Sequence, residues 1–147
     1  MSLDARANDG LASERDNVGA DVETVHGGSG NDILTAGKAA VSLFGAAGND
    51  MLSGGRSDDR LDGGDDNDRL VARAGNDHLD GGAGDDELRA GIGDDTLLGQ
   101  DGADDLDGAN GSDTLAGGAG APDTCAGGPG RDSLTPTHGC ERIIAIP

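Results

Sequence analysis

The residues in this chain best suited to chemistry are aspartates, and they return at a fixed interval. Asp32, Asp50, Asp59, Asp68, Asp77, Asp86, Asp95, Asp104 and Asp113 each stand sixth in a nine-residue unit. From Gly27 to Ala116 these units follow without a gap: GGSGNDILT, AGKAAVSLF, GAAGNDMLS, GGRSDDRLD, GGDDNDRLV, ARAGNDHLD, GGAGDDELR, AGIGDDTLL, GQDGADDLD and GANGSDTLA. The pattern is G-G-x-G-x-D-x-U-x, where U is a large aliphatic residue. Val41 alone breaks the sixth position. The eighth is always leucine: Leu34, Leu43, Leu52, Leu61, Leu70, Leu79, Leu88, Leu97, Leu106 and Leu115. Compositional drift needs no register, so it does not hold two residue types in phase for this length.

Carboxylates repeated in this way suit a hard divalent cation. Ca²⁺ takes about 6–8 oxygen ligands, from carboxylates and backbone carbonyls, and glycine turns leave carbonyls unobstructed. Mg²⁺ demands octahedral geometry and keeps its waters. Zinc wants Cys or His, which these units hardly offer.

The elements that must position the aspartates follow from the same period. Each unit divides into a six-residue turn and a three-residue strand such as Arg60-Leu61-Asp62, with leucine on one face and polar groups on the other. Two units close one coil of 18 residues, and stacked coils form two parallel sheets over a thin leucine seam. This predicts an all-β fold, a parallel β-solenoid with two short-stranded sheets. Coiling sorts the acids onto two edges. One stacks Asp32, Asp50, Asp68, Asp86, Asp104 and Asp123; the other stacks Asp59, Asp77, Asp95, Asp113 and Asp132. At a strand spacing of about 4.8 Å such columns repel themselves unless neutralised. Ions between successive coils give roughly seven to nine Ca²⁺ sites, a charge of about +14 to +18, close to the formal −19 of the chain.

Composition supports this reading. Phe44 is the sole aromatic residue in 147, and glycine fills 29 positions. So few large apolar groups cannot offset chain entropy in a conventional core, and the charge opposes compaction. Among 29 acidic residues only Glu14, Glu23, Glu87 and Glu141 are glutamate, which places the charge on turns. The charge excludes a nucleic-acid partner, since phosphate binding needs a basic patch. The longest aliphatic run, Ile143 to Ile146, is too short for membrane insertion. Met1–Asn17 lacks the basic and apolar regions of a signal peptide.

GGSGNDILT and GAGDDELRAGIGDDTLLG resemble the RTX repeats, the calcium-binding β-roll of secreted bacterial proteins, over roughly residues 18–135. The resemblance implies that the sixth-position aspartates bind Ca²⁺, Asp123 and Asp132 included. It implies carbonyl ligands from turn glycines such as Gly28, Gly30, Gly48, Gly75, Gly84, Gly93, Gly102 and Gly111. It also implies the family's fold, a right-handed parallel β-roll that orders when calcium binds, in a module that is secreted or at the cell surface.

Departures mark weak points. Val41 and Ala39 predict a missing or weak site beside Asp59. Arg73 and Gln100 replace the second glycine, and Ser57 and Asp66 the fourth, at strained backbone positions. The insertion at Pro122 casts doubt on the last pair of sites.

The ends should differ from the roll. Residues 1–17 are weakly patterned and either complete a first coil or remain mobile. Residues 136–147 form a C-terminal cap, similar to the ends of secreted actinobacterial RTX-like proteins, with Ile143, Ile144 and Ile146 over the last coil. Cys125 and Cys140, the only cysteines, read as one disulfide, which argues for an oxidising compartment; the alternative is two free thiols, with Cys125 filling a leucine slot.

No catalytic constellation emerges, so no enzyme is expected within the chain. His26, His78 and His138 are scattered, and nucleophile-elbow and zinc-protease motifs are missing. The alternatives are the β-roll of a larger secreted hydrolase or adhesin with its active domain elsewhere, and a solenoid binding ice, glycan or a cell through its flat sheet. The outward positions, from Ile33, Ser42 and Met51 to Glu87 and Asp105, are too irregular for a lattice binder. No protein or glycan partner can be named.

Overall fold

The computed structural model describes residues 15–17, 24–134 and 139–144. Glu23, Thr135, His138 and Ile146 lie outside them. Within them every element is a β-strand: β1 (Arg15–Asn17), β2 (Thr24–Ser29), β3 (Ile33–Thr35), β4 (Ser42–Ala47), β5 (Met51–Ser53), β6 (Arg60–Asp65), β7 (Arg69–Ala74), β8 (His78–Ala83), β9 (Glu87–Ile92), β10 (Thr96–Gly102), β11 (Asp105–Asn110), β12 (Thr114–Gly120), β13 (Asp123–Ala126), β14 (Ser133–Leu134) and β15 (Cys140–Ile144). No helix of the described residues is long and apolar enough to cross a membrane.

Odd-numbered strands form one sheet, in the order β1-β3-β5-β7-β9-β11-β13-β15, and even-numbered strands the other, β14-β12-β10-β8-β6-β4-β2. All pairings are parallel, and from β1 to β12 each residue faces the one 18 positions on, as in Leu61↔Leu79 and Leu88↔Leu106; the offset becomes 19 where β11 meets β13 and β12 meets β14. The molecule is therefore a parallel β-solenoid of two units per coil. The chain alternates between the sheets at every turn, so each sheet collects one leucine column. Leu43 through Leu115 are fully buried, and Val25 and Cys125 occupy the same slot at the two ends. A leucine seam and closed backbone ladders supply what a larger core would in an ordinary domain.

Most strands are longer than the three residues expected from the period. β6, for example, runs through Gly63 and Gly64 to Asp65, and pairing continues as Gly64↔Gly82 and Asp65↔Ala83. The first three turn positions join the ladder because the second adopts a left-handed conformation that keeps the following residues in pairing range. Arg73 (φ 84°) and Gln100 (φ 81°) accept that conformation in place of glycine, as do Ala46 and Ala109, and Asp66 does so at the fourth position. Ser57 does not take the positive φ expected of it; its hydroxyl instead donates to the Lys38 carbonyl at 2.8 Å. β3 and β5 do stop after three residues, and they lead into the two divergent turns, 36–41 and 54–59.

At the C-terminal end the extra residue of the ten-residue unit is taken up in the turn between Gly120 and Asp123: Gly102 faces Gly120, 18 residues on, but Asp105 faces Thr124, 19 on. Cys125 and Cys140 are bonded, with Cα atoms 5.6 Å apart. The bond fixes β15 as the last rung of its sheet.

Candidate metal sites

The turns passing from the even to the odd sheet form one edge, and the return turns form the other. On the first edge the sixth-position carboxylates are joined coil to coil. The N–H of Asp32 donates to Oδ1 of Asp50 (2.7 Å), Asp50 to Asp68 (2.7 Å), Asp68 to Asp86 (2.7 Å), Asp86 to Asp104 (2.9 Å) and Asp104 to Asp123 (2.9 Å). On the second edge Val41 donates to Asp59 (2.9 Å), Asp59 to Asp77 (2.7 Å), Asp77 to Asp95 (2.7 Å), Asp95 to Asp113 (2.9 Å) and Asp113 to Asp132 (3.1 Å). The sequence-derived columns are thus brought together in the expected order. The Pro122 insertion leaves Asp123 in line.

Each carboxylate uses only Oδ1 in this way. Oδ2 of Asp32, Asp50, Asp68, Asp77, Asp86, Asp95, Asp104, Asp113 and Asp123 is buried without a hydrogen-bond partner. An orphaned buried carboxylate oxygen is costly, and a whole column of them is unsustainable without counter-charge. The charged form is penalised accordingly. Burial pushes Asp68 and Asp86 up to about 7, with neighbouring carboxylates adding to the rise. Asp50, Asp77, Asp104 and Asp113 are raised to about 6 for the same reason, and Asp95 is also raised.

The orphaned oxygens look onto carbonyls. A Cβ on Gly27 would lie 2.5 Å from Oδ2 of Asp32 and 2.8 Å from the Gly45 carbonyl oxygen, so glycine keeps open a spot where both converge. Gly45, Gly63, Gly81 and Gly99 repeat the arrangement on the same edge. The fourth-position glycines Gly30, Gly48, Gly75, Gly84, Gly93, Gly102 and Gly111 take positive φ, as does Gly28 at the second position. Their carbonyls stack toward the turn above: a side chain on Gly48 would lie 2.7 Å from the Gly30 oxygen. No group of three Cys, His, Asp or Glu side chains converges among the described residues. The donor set is therefore one carboxylate per turn plus backbone carbonyls, which suits a hard oxygen-seeking cation and not zinc.

A second ladder lies outside the first, and the sequence reading missed it. At the fifth position, Asn31 Oδ1 accepts from the N–H of Asn49 (3.0 Å), Asn49 from Asn67 (2.9 Å), Asn67 from Asp85 (3.0 Å) and Asp85 from Ala103 (3.0 Å). Asp58, Asn76 and Asp94 do the same on the other edge. These bonds run opposite to the sixth-position set, so each turn is tied both up and down. The available signal was the recurrence of Asn or Asp before the sixth-position acid.

Asp59 is the exception among the buried aspartates. Its Oδ2 accepts from the Gly55 N–H at 2.6 Å. The turns around it leave a cleft of about 400 Å³ lined by Val41, Asp58, Asp59, Arg60 and Asn76. His26 stacks on Phe44 with ring centroids 4.7 Å apart.

A parallel β-solenoid whose glycine turns present stacked, half-satisfied carboxylates defines a class of cation-binding repeat modules. The chain belongs to the RTX calcium-binding nonapeptide repeat family: the family model, which spans four copies, matches residues 18–40, 26–61, 42–70, 62–97, 89–122 and 98–134. RTX repeats bind calcium. No curated protein and no solved structure matches the chain.

Proposed function

We propose that this chain is a calcium-loaded structural module of a secreted or cell-surface protein, ordered by the ions it binds and not itself catalytic. The observation that carries the reading is the set of buried, partnerless Oδ2 atoms in register along both edges. Each ion sits between successive coils, taking an Asp carboxylate and turn carbonyls, with roughly seven to nine ions at saturation. The ligands are Asp32, Asp50, Asp68, Asp86, Asp104 and Asp123 on one edge and Asp77, Asp95, Asp113 and Asp132 on the other. The fourth-position glycines and Gly28 contribute carbonyls.

Extracellular calcium modules typically work at about 10⁻⁴–10⁻³ M, far above resting cytosolic calcium. A chain with this affinity stays open inside the cell and closes outside it, which suits export in an unfolded state. The Cys125–Cys140 bond supports the same compartment. Equilibrium dialysis against Ca²⁺ and Mg²⁺ tests the proposal. Several calcium ions per chain, with magnesium failing to compete at equal concentration, is the expected result. Uptake of no calcium at millimolar concentration would overturn it.

A further inference from the structure

The second edge does not begin like the first. Val41 offers no carboxylate to its rung. The carbonyl that should converge there is that of Gly54, the first residue of the next turn on this edge, and it is already taken. The Arg73 guanidinium, from the turn beyond, donates to it at 2.7 Å. One rung on, Asp59 has the consensus carboxylate, but the buried N–H of Gly55 satisfies its Oδ2. Gly37, Gly55, Ala39 and Ser57 all lack the positive φ found at the equivalent positions of the neighbouring turns, such as Gly28, Gly30, Gly64 and Gly75. Three independent departures, in side chain, backbone and hydrogen bonding, therefore fall on the same two turns.

We propose that this end of the second edge carries no calcium: Arg73 and the Gly55 N–H take the cation's place, Asp59 is a structural acceptor and not a ligand, and the calcium column of that edge begins at Asp77. The chemistry is coherent. A guanidinium is permanently charged and donates in a fixed fork, so it satisfies an exposed carbonyl without needing a metal. An N–H donor at 2.6 Å does for the Asp59 carboxylate what an ion does for the others. The consequence is a solenoid with one fully loaded edge and one loaded only toward its C-terminal part. The end nearest the first turns then holds together with less calcium than the rest.

This inference rests on the calcium-binding reading above, and the test separates the two. Calcium per chain is counted by native mass spectrometry of the full chain at saturating Ca²⁺. Asp59→Asn should leave the count unchanged, while Asp95→Asn should lower it by at least one. A wild-type chain without calcium would overturn the functional reading and this proposal with it. A calcium-loaded wild type whose count falls in Asp59→Asn would overturn this proposal alone. Should Asp59→Asn fail to fold, Arg73→Gln decides, because Gln100 already occupies the equivalent backbone conformation. It should keep the wild-type count and lower the thermal midpoint in calcium by roughly 3–12 °C, as expected for one lost charge-assisted hydrogen bond in a chain of this size. A changed count or an unchanged midpoint would contradict it.

Discussion

The N–H of Asp68 donates to Oδ1 of Asp86, one coil on, at 2.7 Å, while Oδ2 of Asp86 is buried without a partner. On the proposed reading one carboxylate does two jobs: one oxygen knits the coils and the other is a ligand to a cation. Asp86→Asn separates them. The amide keeps an acceptor for Asp68 but puts an NH₂ where the ion belongs. With calcium the variant should bind at least one ion fewer and melt lower than wild type. In chelator it should be the more ordered of the two, because a buried charge has gone. Calorimetry in both buffers measures the crossover; the same ranking in both would count against it.

Protons should partly replace calcium. Asp68 is raised to about 7 by burial, by Asp50 and Asp86 in its column and by Asp66, and Asp86 is raised to about 7 by burial and by Asp104, Asp85 and Asp80. A folded-state value above the unfolded one means the calcium-free roll is most stable below the unfolded value of about 4. That stability is lost as pH rises through about 6 to 7. Far-UV circular dichroism in chelator should show β signal growing as pH falls from 8 to 5. Calcium affinity should weaken over the same range, since protons compete for the same oxygens.

The fold and the acid columns were legible because two residue types keep a strict period. Leu61 and Leu79 face each other in the sheet, as the nine-residue spacing requires. The Asp columns follow from coiling alone. Less legible were features that depend on hydrogen-bond direction. The fifth-position ladder mixes Asn31, Asn49, Asp58 and Asp94 with Ala103 and Ser112, so no single residue type announces it. Asp59 matches the repeat perfectly, yet the conformation of its own turn, set by Gly55 and Ser57, turns the Gly55 N–H onto it. Six-residue strands were also hidden, because glycine-rich positions carry weak strand propensity and joined the ladder only through their neighbours.

The leucine seam should be costly to breach anywhere along its length. Leu79 is fully buried between Leu61 and Leu97 in its sheet. Leu79→Ala should cost about 2–5 kcal/mol in calcium, measured by chemical denaturation. Leu98→Ala, at a half-buried outward position, should cost far less.

Reduction of Cys125–Cys140 should act locally. Each coil touches only its neighbours, so losing the cross-link frees β15 from β13 and leaves the middle of the roll intact. The chain-entropy model gives about 3 kcal/mol for a loop of this length. Hydrogen exchange in calcium should show faster exchange in β13 and β15 of the reduced chain, with β6 to β9 unchanged.

The central claim is that calcium completes this fold. Its most direct test is far-UV circular dichroism through a Ca²⁺ titration from a chelated start near neutral pH, with Mg²⁺ in parallel. A cooperative gain of β signal with calcium and none with magnesium is the predicted result. A signal unchanged by calcium, whether the chain stays unfolded throughout or is already folded in chelator, would contradict it.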